Sequence, residues 1–477
     1  MSVMVTRTKA APALLLLCLS APCLSQVTVP DTPAGQKLAA WLAAFNRGDL
    51  EAYKAFLEKN YPSHHQPADQ AMAFREMTGG FDLKKVEPST SDTQVALLLQ
   101  ERNSDQFARL TLEVESAEPH KIVGIGLMAI PRPAEFPLPH LNESELIAAV
   151  RKKLDGDATA GHFAGTVLMA RNGESVLAEA YGLSDREHKT RNQVKTRFRI
   201  GSMNKMFTAT ATLQLVQAGK LRLNDPLGKY LTDYPNKDVA AKVTIYQLLT
   251  HTGGTGDIFG PEFQAHRLEL RSLDDYVKLY GSRPLTFEPG SKWEYSNYGF
   301  ILLGVVIEKV SGQSYYEYVR DHVYKPAGMT SSGSEPEDQV VSDRSVGYTR
   351  MGGGAEHPNA ETLPYRGTSA GGGYSTVEDL LRYANALGAH KLLNADYADM
   401  LTTGKVDTPG GGRYAFGFDD RTTNGIRCFG HGGGAPGMNG ELEICPTAGY
   451  VVAVLANMDP PAADRISQFI TNRLPEK

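Results

Sequence analysis

Arg197-Phe-Arg-Ile-Gly-Ser202-Met-Asn-Lys205-Met-Phe-Thr-Ala-Thr-Ala-Thr-Leu-Gln-Leu-Val-Gln-Ala-Gly219 is the stretch around which the rest of the chain falls into place. From Phe207 onward apolar residues recur at three and four, and Gly219 closes the pattern, which predicts a helix with Ser202 and Lys205 on its first turn. Positions i and i+3 share a helix face, so the hydroxyl and the amine come within contact reach. A serine hydroxyl is a poor nucleophile until a neighbouring base takes its proton. A helix N-terminus adds partial positive charge and spare N–H groups, both of which favour an oxyanion there. Burial lowers the pKa of a lysine toward the neutral form that a base requires. S-x-x-K alone is only two fixed letters, and a solvated helix start carries the same pair, so the remaining chain has to decide.

The 477 residues are too many for one core and imply two or three domains. A hydrophobic fraction of 41%, a charged fraction of 22% and a net charge of −5 describe a globular chain with no basic surplus for nucleic acid. Arg7 and Lys9, the apolar run Ala10 to Leu19 and small residues up to Ser25 read as a secretory signal over residues 1–25. That run is too short to span a bilayer, and no later one approaches the length, so no stable membrane insertion is expected. The mature chain is expected to be exported, to the periplasm or outside the cell. Cys18 and Cys23 would leave with the leader, and Cys428 and Cys445 remain. These two flank Pro436-Gly437 in segments that read as strands of one hairpin, so a cross-strand disulfide is expected, with two reduced buried thiols as the alternative.

Residues 26–130 carry a pattern of their own. Leu38 to Phe45 and Leu50 to Leu57 read as helices, and Gln94 to Gln100, Phe107 to Val114 and Ile122 to Ile130 as strands. This α+β order, with Ala44-Phe-Asn-Arg-Gly-Asp-Leu-Glu-Ala-Tyr53, resembles the small cone-shaped nuclear-transport-factor and SnoaL-like domains. His64-His65 reads as a solvated loop. The proline-dense residues 131–141 read as a semi-rigid linker, and 142–477 as the main domain. There Asn142-Glu-Ser-Glu145 opens a helix by a capping box, and Asn172-Gly173 joins two strands, Gly165 to Arg171 and Ser175 to Tyr181. Strands recur at Ile426 to Gly430, Gly440 to Cys445 and Val451 to Leu455, and a helix from Pro461 closes the chain. Strands at both ends with helices inserted between them imply an antiparallel sheet whose two halves meet in space.

Two further segments can converge on Ser202. In Tyr295-Ser-Asn297, before an apolar helix, a phenol can relay a proton and an amide can orient a substrate carbonyl. Tyr234-Pro-Asn236 carries the same letters and shows how cheap that pattern is. In Phe429-Gly-His431-Gly432-Gly433-Gly434, glycines let substrate backbone lie along a strand edge, and free N–H groups can complete an oxyanion hole.

The order Ser-x-x-Lys, Tyr-x-Asn, His-Gly-Gly resembles the penicillin-recognising serine hydrolases: class C β-lactamases, D-Ala-D-Ala carboxypeptidases and their esterase relatives. Leu248-Leu-Thr-His-Thr-Gly-Gly254, Phe287-Glu-Pro-Gly290, Lys325-Pro-Ala-Gly-Met329 and Ser369-Ala-Gly-Gly-Gly-Tyr-Ser375 carry the likeness over roughly 143 to 474. The resemblance implies an antiparallel sheet flanked by helices, an α/β (α+β) fold with a helical subdomain, and no cofactor or metal. It implies Ser202 as nucleophile, Lys205 as its activating partner and Tyr295 as the group that helps deprotonate the serine and protonates the leaving group. It implies Asn297, His431, Gly432 and Gly433 as substrate-binding residues, with the backbone N–H groups of Ser202 and Gly434 as oxyanion hole. One departure matters: where β-lactamases carry Lys-Thr-Gly, this chain has His431-Gly-Gly, which lacks the fixed positive charge that grips a penicillin carboxylate.

The expected activity is therefore hydrolysis of small esters, amides or D-amino peptides through an acyl-enzyme on Ser202. The alternatives are a β-lactamase or D-Ala-D-Ala carboxypeptidase, and a non-catalytic penicillin-binding-like sensor. A rival fold, the α/β-hydrolase, is offered by Gly367-Thr-Ser369-Ala-Gly371, which fits G-x-S-x-G, but His431-Gly-Gly-Gly434 then stands on the wrong side of the nucleophile. His251 reads as a structural hydrogen-bonder. The sequence leaves the acyl and leaving groups and the oligomeric state open.

Overall fold

Thr32 caps the first helix, α1 (Pro33–Arg47), through its hydroxyl, and Asp49 caps the second, α2 (Leu50–Asn60), through its carboxylate. Between them Gly48 takes the left-handed conformation that ends α1 at φ 73°. The computed structural model describes residues 27–476 apart from 66, 89–90 and 352–354. The expected leader, with Cys18 and Cys23, lies outside the described residues. A third helix, α3 (Ala68–Thr78), and a first strand, β1 (Phe81–Val86), were not anticipated. Strands β2 (Gln94–Glu101), β3 (Phe107–Val114) and β4 (Ile122–Ile130) complete a four-stranded sheet in chain order.

The chain divides into two compact units. The smaller holds the described residues up to 65 with 81–100 and 108–128, and its core gathers Trp41, Phe45, Tyr53 and Phe81. The larger holds residues 66–80, 101–107 and everything from 129 onward.

In the larger unit Asn142 and Glu145 form the expected reciprocal cap at the start of α4 (Glu143–Thr159). Strands β5 (Gly165–Arg171) and β6 (Glu174–Tyr181) are joined by Asn172 and Gly173, both at positive φ, as a tight hairpin requires. The helical part follows, with α5 (Asn204–Gln217) and α6 (Asn297–Ser311) at its centre. Later come β7 (Val406–Asp407), β8 (Arg413–Tyr414), β9 (Asp419–Thr423), β10 (Ile426–Ala435), β11 (Met438–Cys445), β12 (Tyr450–Ala456) and α7 (Ala462–Thr471).

One eight-stranded sheet runs β7-β8-β9-β10-β11-β12-β5-β6, and every pair in it is antiparallel. Strand β12 pairs with β5 from Tyr450↔Arg171 to Ala456↔Gly165, so the two ends of the unit meet as the strand order implied. All seven residues of β12 are buried because both faces are covered. Val451, Ala453 and Leu455 share a core with α5 and α6, while Val452 and Val454 share one with α4 and α7. An antiparallel sheet of this order rules out the parallel α/β-hydrolase.

Helices α5 and α6 are buried almost all round, Asn297 to Ile307 without a break in α6. Each leucine or isoleucine so buried contributes about 1.5–3 kcal/mol relative to exposure. The polar residues of α5 fit because Thr210 and Thr212 each donate to the carbonyl four residues back and Thr208 donates to the Ser369 carbonyl at 2.7 Å.

Candidate active site

The helix that carries the serine begins earlier than its apolar spacing implied. A 3₁₀ turn, Gly201–Met203, leads into α5 at Asn204, and Ser202 sits on that turn. Gly201 stands at φ 52°, and a Cβ there would lie 3.1 Å from the backbone nitrogen of Gly434. Both features demand glycine. Gly433 is constrained from the other side, since a Cβ on it would strike the backbone of Ile200 and reach within 3.0 Å of the Ser202 nitrogen. The backbones of residues 201–202 and 433–434 therefore abut. Strand β9 ends opposite Gly430, so residues 431–435 extend β10 beyond that neighbour.

Lys205 is fully buried one turn after Ser202, with its Nζ 3.3 Å from the serine Oγ. It also donates to Asn297 Oδ1 at 2.7 Å and to the Ala370 carbonyl at 2.5 Å. Burial lowers the amine pKa to about 7, against an opposing pull from Asp257. A neutral amine has two N–H donors and one lone pair. Asn297 Oδ1 and Ala370 O are obligate acceptors and take both N–H groups, which leaves the lone pair for the Ser202 hydroxyl. That is the geometry of a general base.

Tyr295 hydrogen-bonds Ser202 from a second side, and its ring lies 4.6 Å from the Lys205 nitrogen. Burial drives its phenol well above the ordinary tyrosine value. The phenol therefore stays protonated, so it can donate a proton but cannot begin the reaction by taking one. This favours Lys205 over the phenol as the group that takes the serine proton. His251 lies 4.3 Å from Tyr295 ring to ring and accepts from the Ser296 N–H through Nδ1. With Nδ1 accepting, the ring is neutral, and desolvation keeps it so. His251 is the structural hydrogen-bonder expected.

Asn297 opens α6, and its expected part as a substrate ligand meets a competing arrangement. Its Oδ1 accepts from Lys205, and its Nδ2 donates to Asp257 Oδ2 at 3.2 Å. Asp257 Oδ1 takes the Asn297 backbone N–H at 3.0 Å. Each end of the amide thus has a partner within the chain, so Asn297 holds the lysine, while the second N–H of its Nδ2 has no partner among the described residues and stays compatible with a substrate carbonyl. His431 is likewise occupied: Nδ1 donates to Gly432 O at 2.5 Å, and Nε2 accepts from the Tyr414 hydroxyl at 3.1 Å. Burial lowers its pKa, so the ring carries no fixed positive charge. Gly433 accepts from Asn439 Nδ2 at 3.0 Å.

Ser202, Lys205, Tyr295, Asn297 and the 431–434 strand thus come together, while the decoys do not. Tyr234 is buried against the Tyr298 hydroxyl, and Asn236 caps a short surface helix. Ser369 is fully buried against Gly304 of α6, its hydroxyl without a hydrogen-bond partner among the described residues, which removes it as a nucleophile. Asp257 and Tyr414 went unforeseen because nothing in their local sequence marks them. The Ala370 carbonyl lay within a quoted phrase, Ser369-Ala-Gly, but a backbone oxygen carries no letter. Cys428 and Cys445 are joined as a disulfide across β10 and β11, Cα atoms 4.1 Å apart.

The family model described as Beta-lactamase matches residues 147–474. PbpX of Bacillus subtilis, named as a penicillin-binding protein, is 34% identical over 254 residues, 53% of this chain and 62% of its own length. The chain thus spans less than two thirds of that relative. A penicillin-binding protein from Bacillus halodurans has a similar structure at 35% identity and a TM-score of 0.61, covering 67% of this chain and 98% of its own. A D-stereospecific amidohydrolase from Streptomyces sp. follows at 27% identity and a TM-score of 0.58, covering 67% and 97%. A family match over more than half of its length, on an antiparallel sheet that presents Ser-x-x-Lys to a tyrosine, means that this chain belongs to the β-lactamase-related family of penicillin-binding-like serine hydrolases.

Proposed function

We propose that this protein is an acyl-transfer hydrolase that acylates Ser202 with small amides, D-amino peptides or esters and releases the acyl group to water. The carrying observation is the Lys205 amine, whose two N–H groups are taken by carbonyl oxygens while its remaining position faces the serine. As the Ser202 oxygen attacks a carbonyl carbon, its proton passes to Lys205. The Tyr295 phenol gives its proton to the departing nitrogen or oxygen as that bond breaks. In the second half the tyrosine, now ionised, takes a proton from water, the water oxygen attacks the acyl carbon, and Ser202 recovers its proton from Lys205. The N–H groups of Ser202 and Gly434 would hold the developing oxyanion. His431, neutral and bonded to Tyr414, offers a penicillin carboxylate no cation, which favours neutral or amine-bearing acyl groups. The likeness to a D-stereospecific amidohydrolase supports amides as a substrate class. Export after loss of residues 1–25, and a binding or interaction role for residues 26–130, belong to the same proposal.

The test is labelling with a fluorophosphonate and a fluorescent penicillin, beside a panel of esters, D-amino amides and β-lactams, on wild type and Ser202→Ala. The expected result is a fluorophosphonate adduct on Ser202 and turnover of amides or esters that the variant lacks. Faster turnover of β-lactams would move the reading to a β-lactamase. No adduct with any reagent would make the protein a binder and sink the hydrolase.

A further inference from the structure

A cavity of about 480 Å³ borders α5 through Asn204 and is walled by Tyr315, Tyr316 and Tyr324. That volume is in the range of ligand sites. Ser202 and Lys205 are not among its lining residues.

Its charged groups are arranged unusually. The Arg366 guanidinium stacks on the Tyr316 ring at 3.4 Å, and its Nε donates to the Ser334 carbonyl. The Arg271 guanidinium lies over the Tyr365 ring at 4.9 Å. Among the described residues neither has a carboxylate in ion-pair contact. Three carboxylates, Glu308, Glu317 and Glu335, line the same cavity, and Glu317 is engaged with Ser314. Glu335 takes a hydrogen bond from the Tyr374 hydroxyl and feels the Arg344 cation, yet among the described residues its buried Oε2 has no hydrogen-bond partner. Glu308 accepts the backbone N–H of Tyr315 at 2.9 Å and has Lys309 as its nearby cation. An arginine that lines a cavity with no carboxylate in ion-pair contact is costly, because it stays partly desolvated without a bonded counter-charge. A guest bearing both signs removes that cost, and a guanidinium held flat on a ring offers its terminal nitrogens to a carboxylate in a bidentate pair.

We propose that this cavity is a second binding site, distinct from the serine centre, for a zwitterion of dipeptide size. Its carboxylate pairs with Arg366, its ammonium with Glu335 and Glu308, and its side chain lies against the tyrosine walls. The inference needs no activity at Ser202 and stands or falls apart from the hydrolase reading.

The test is calorimetric titration of full-length Ser202→Ala, which cannot turn its guest over, with alanyl-phenylalanine of either configuration. One of the two should bind saturably. N-acetylation, C-amidation, Arg366→Gln and Glu335→Gln should each weaken binding about tenfold or more, the loss expected for one charge-assisted pair. Wild type whose Ser202 has been blocked by a fluorophosphonate should bind as the variant does. No saturable binding, loss of binding when Ser202 is blocked, or indifference to Glu335→Gln in a folded variant would each overturn the proposal. Glu335→Gln preserves shape and keeps the test decisive if Arg366→Gln, which loses the Ser334 contact, fails to fold.

Discussion

At the scale of single residues, the proposed reaction turns on the protonation state of Lys205. Its pKa is lowered to about 7 by burial, so the amine is charged below that pH and neutral above it. Because the neutral form is the base, kcat/KM should rise with pH through about 7 and then level off. Asp257 pulls the lysine pKa upward. Asp257→Asn should therefore shift the acid limb of the pH profile to lower pH, and a limb that stays in place would mean that another group sets it. Tyr295→Phe removes the proton donor but leaves the lysine. Acylation of Ser202 by an amide, read as kcat/KM, should slow by about 10²–10⁴, whereas kcat/KM for an ester with an activated phenol leaving group should lose far less, because that group departs without a proton. Equal losses on both substrates would show that the phenol does not protonate the leaving group. Ser202 and Lys205 were legible because a spacing of three on a helix is a geometric statement. Asp257 and Tyr414 were not, since each acts through a partner remote in sequence, Asn297 and His431 respectively.

At the scale of elements, the hairpin of β10 and β11 shows how local letters become long-range placement. Pro436-Gly437 sets the turn, the register follows from Ala435↔Met438 to Phe429↔Ile444, and the next pair outward is Cys428 with Cys445. The bridge closes a loop with a sequence separation of 17. A loop of that size is worth about 3 kcal/mol against the unfolded chain. The double variant Cys428→Ser, Cys445→Ser should lose stability of that order in urea unfolding, and the wild-type mass without reductant should be two protons lighter than the reduced form. An unchanged midpoint would mean the bridge adds nothing at equilibrium. Ser202, expected on the first turn of α5, lies on the 3₁₀ turn before it. The apolar spacing announces the helix only from Phe207, because its first turn is buried all round and periodicity marks a helix only where one face meets water. Helix α3 escaped notice for a related reason: Thr78 is its one fully buried residue, so no apolar stripe announces it.

At the scale of the whole molecule, residues well before the family match are built into the larger unit. Arg473 pairs with Asp105 through both terminal nitrogens, and Arg465 joins Glu101 at 2.7 Å and the Met77 carbonyl. All of these side chains are between 10% and 14% exposed where they pair, so removing one partner strands a desolvated charge. Asp105→Ala should lower stability by about 3–5 kcal/mol, read as a drop in the thermal midpoint. A drop no larger than that of an exposed pair would show the contact to be ornamental. A chain begun at Pro131 loses both pairs and should melt lower still. By itself the sequence determined what local geometry and periodicity encode: the strand alternation, the capped helices, the turn at Asn172-Gly173, and a serine and a lysine on one helix face. Only the tertiary structure decided which letters meet. It set Ser369 aside in the core, occupied both ends of Asn297, turned His431 toward Tyr414 and left the lysine one open position toward Ser202. The reason is physical: spacing along a chain constrains neighbours within a few residues, whereas desolvation and hydrogen-bond satisfaction, which set charge and reactivity, depend on every segment packed around a group.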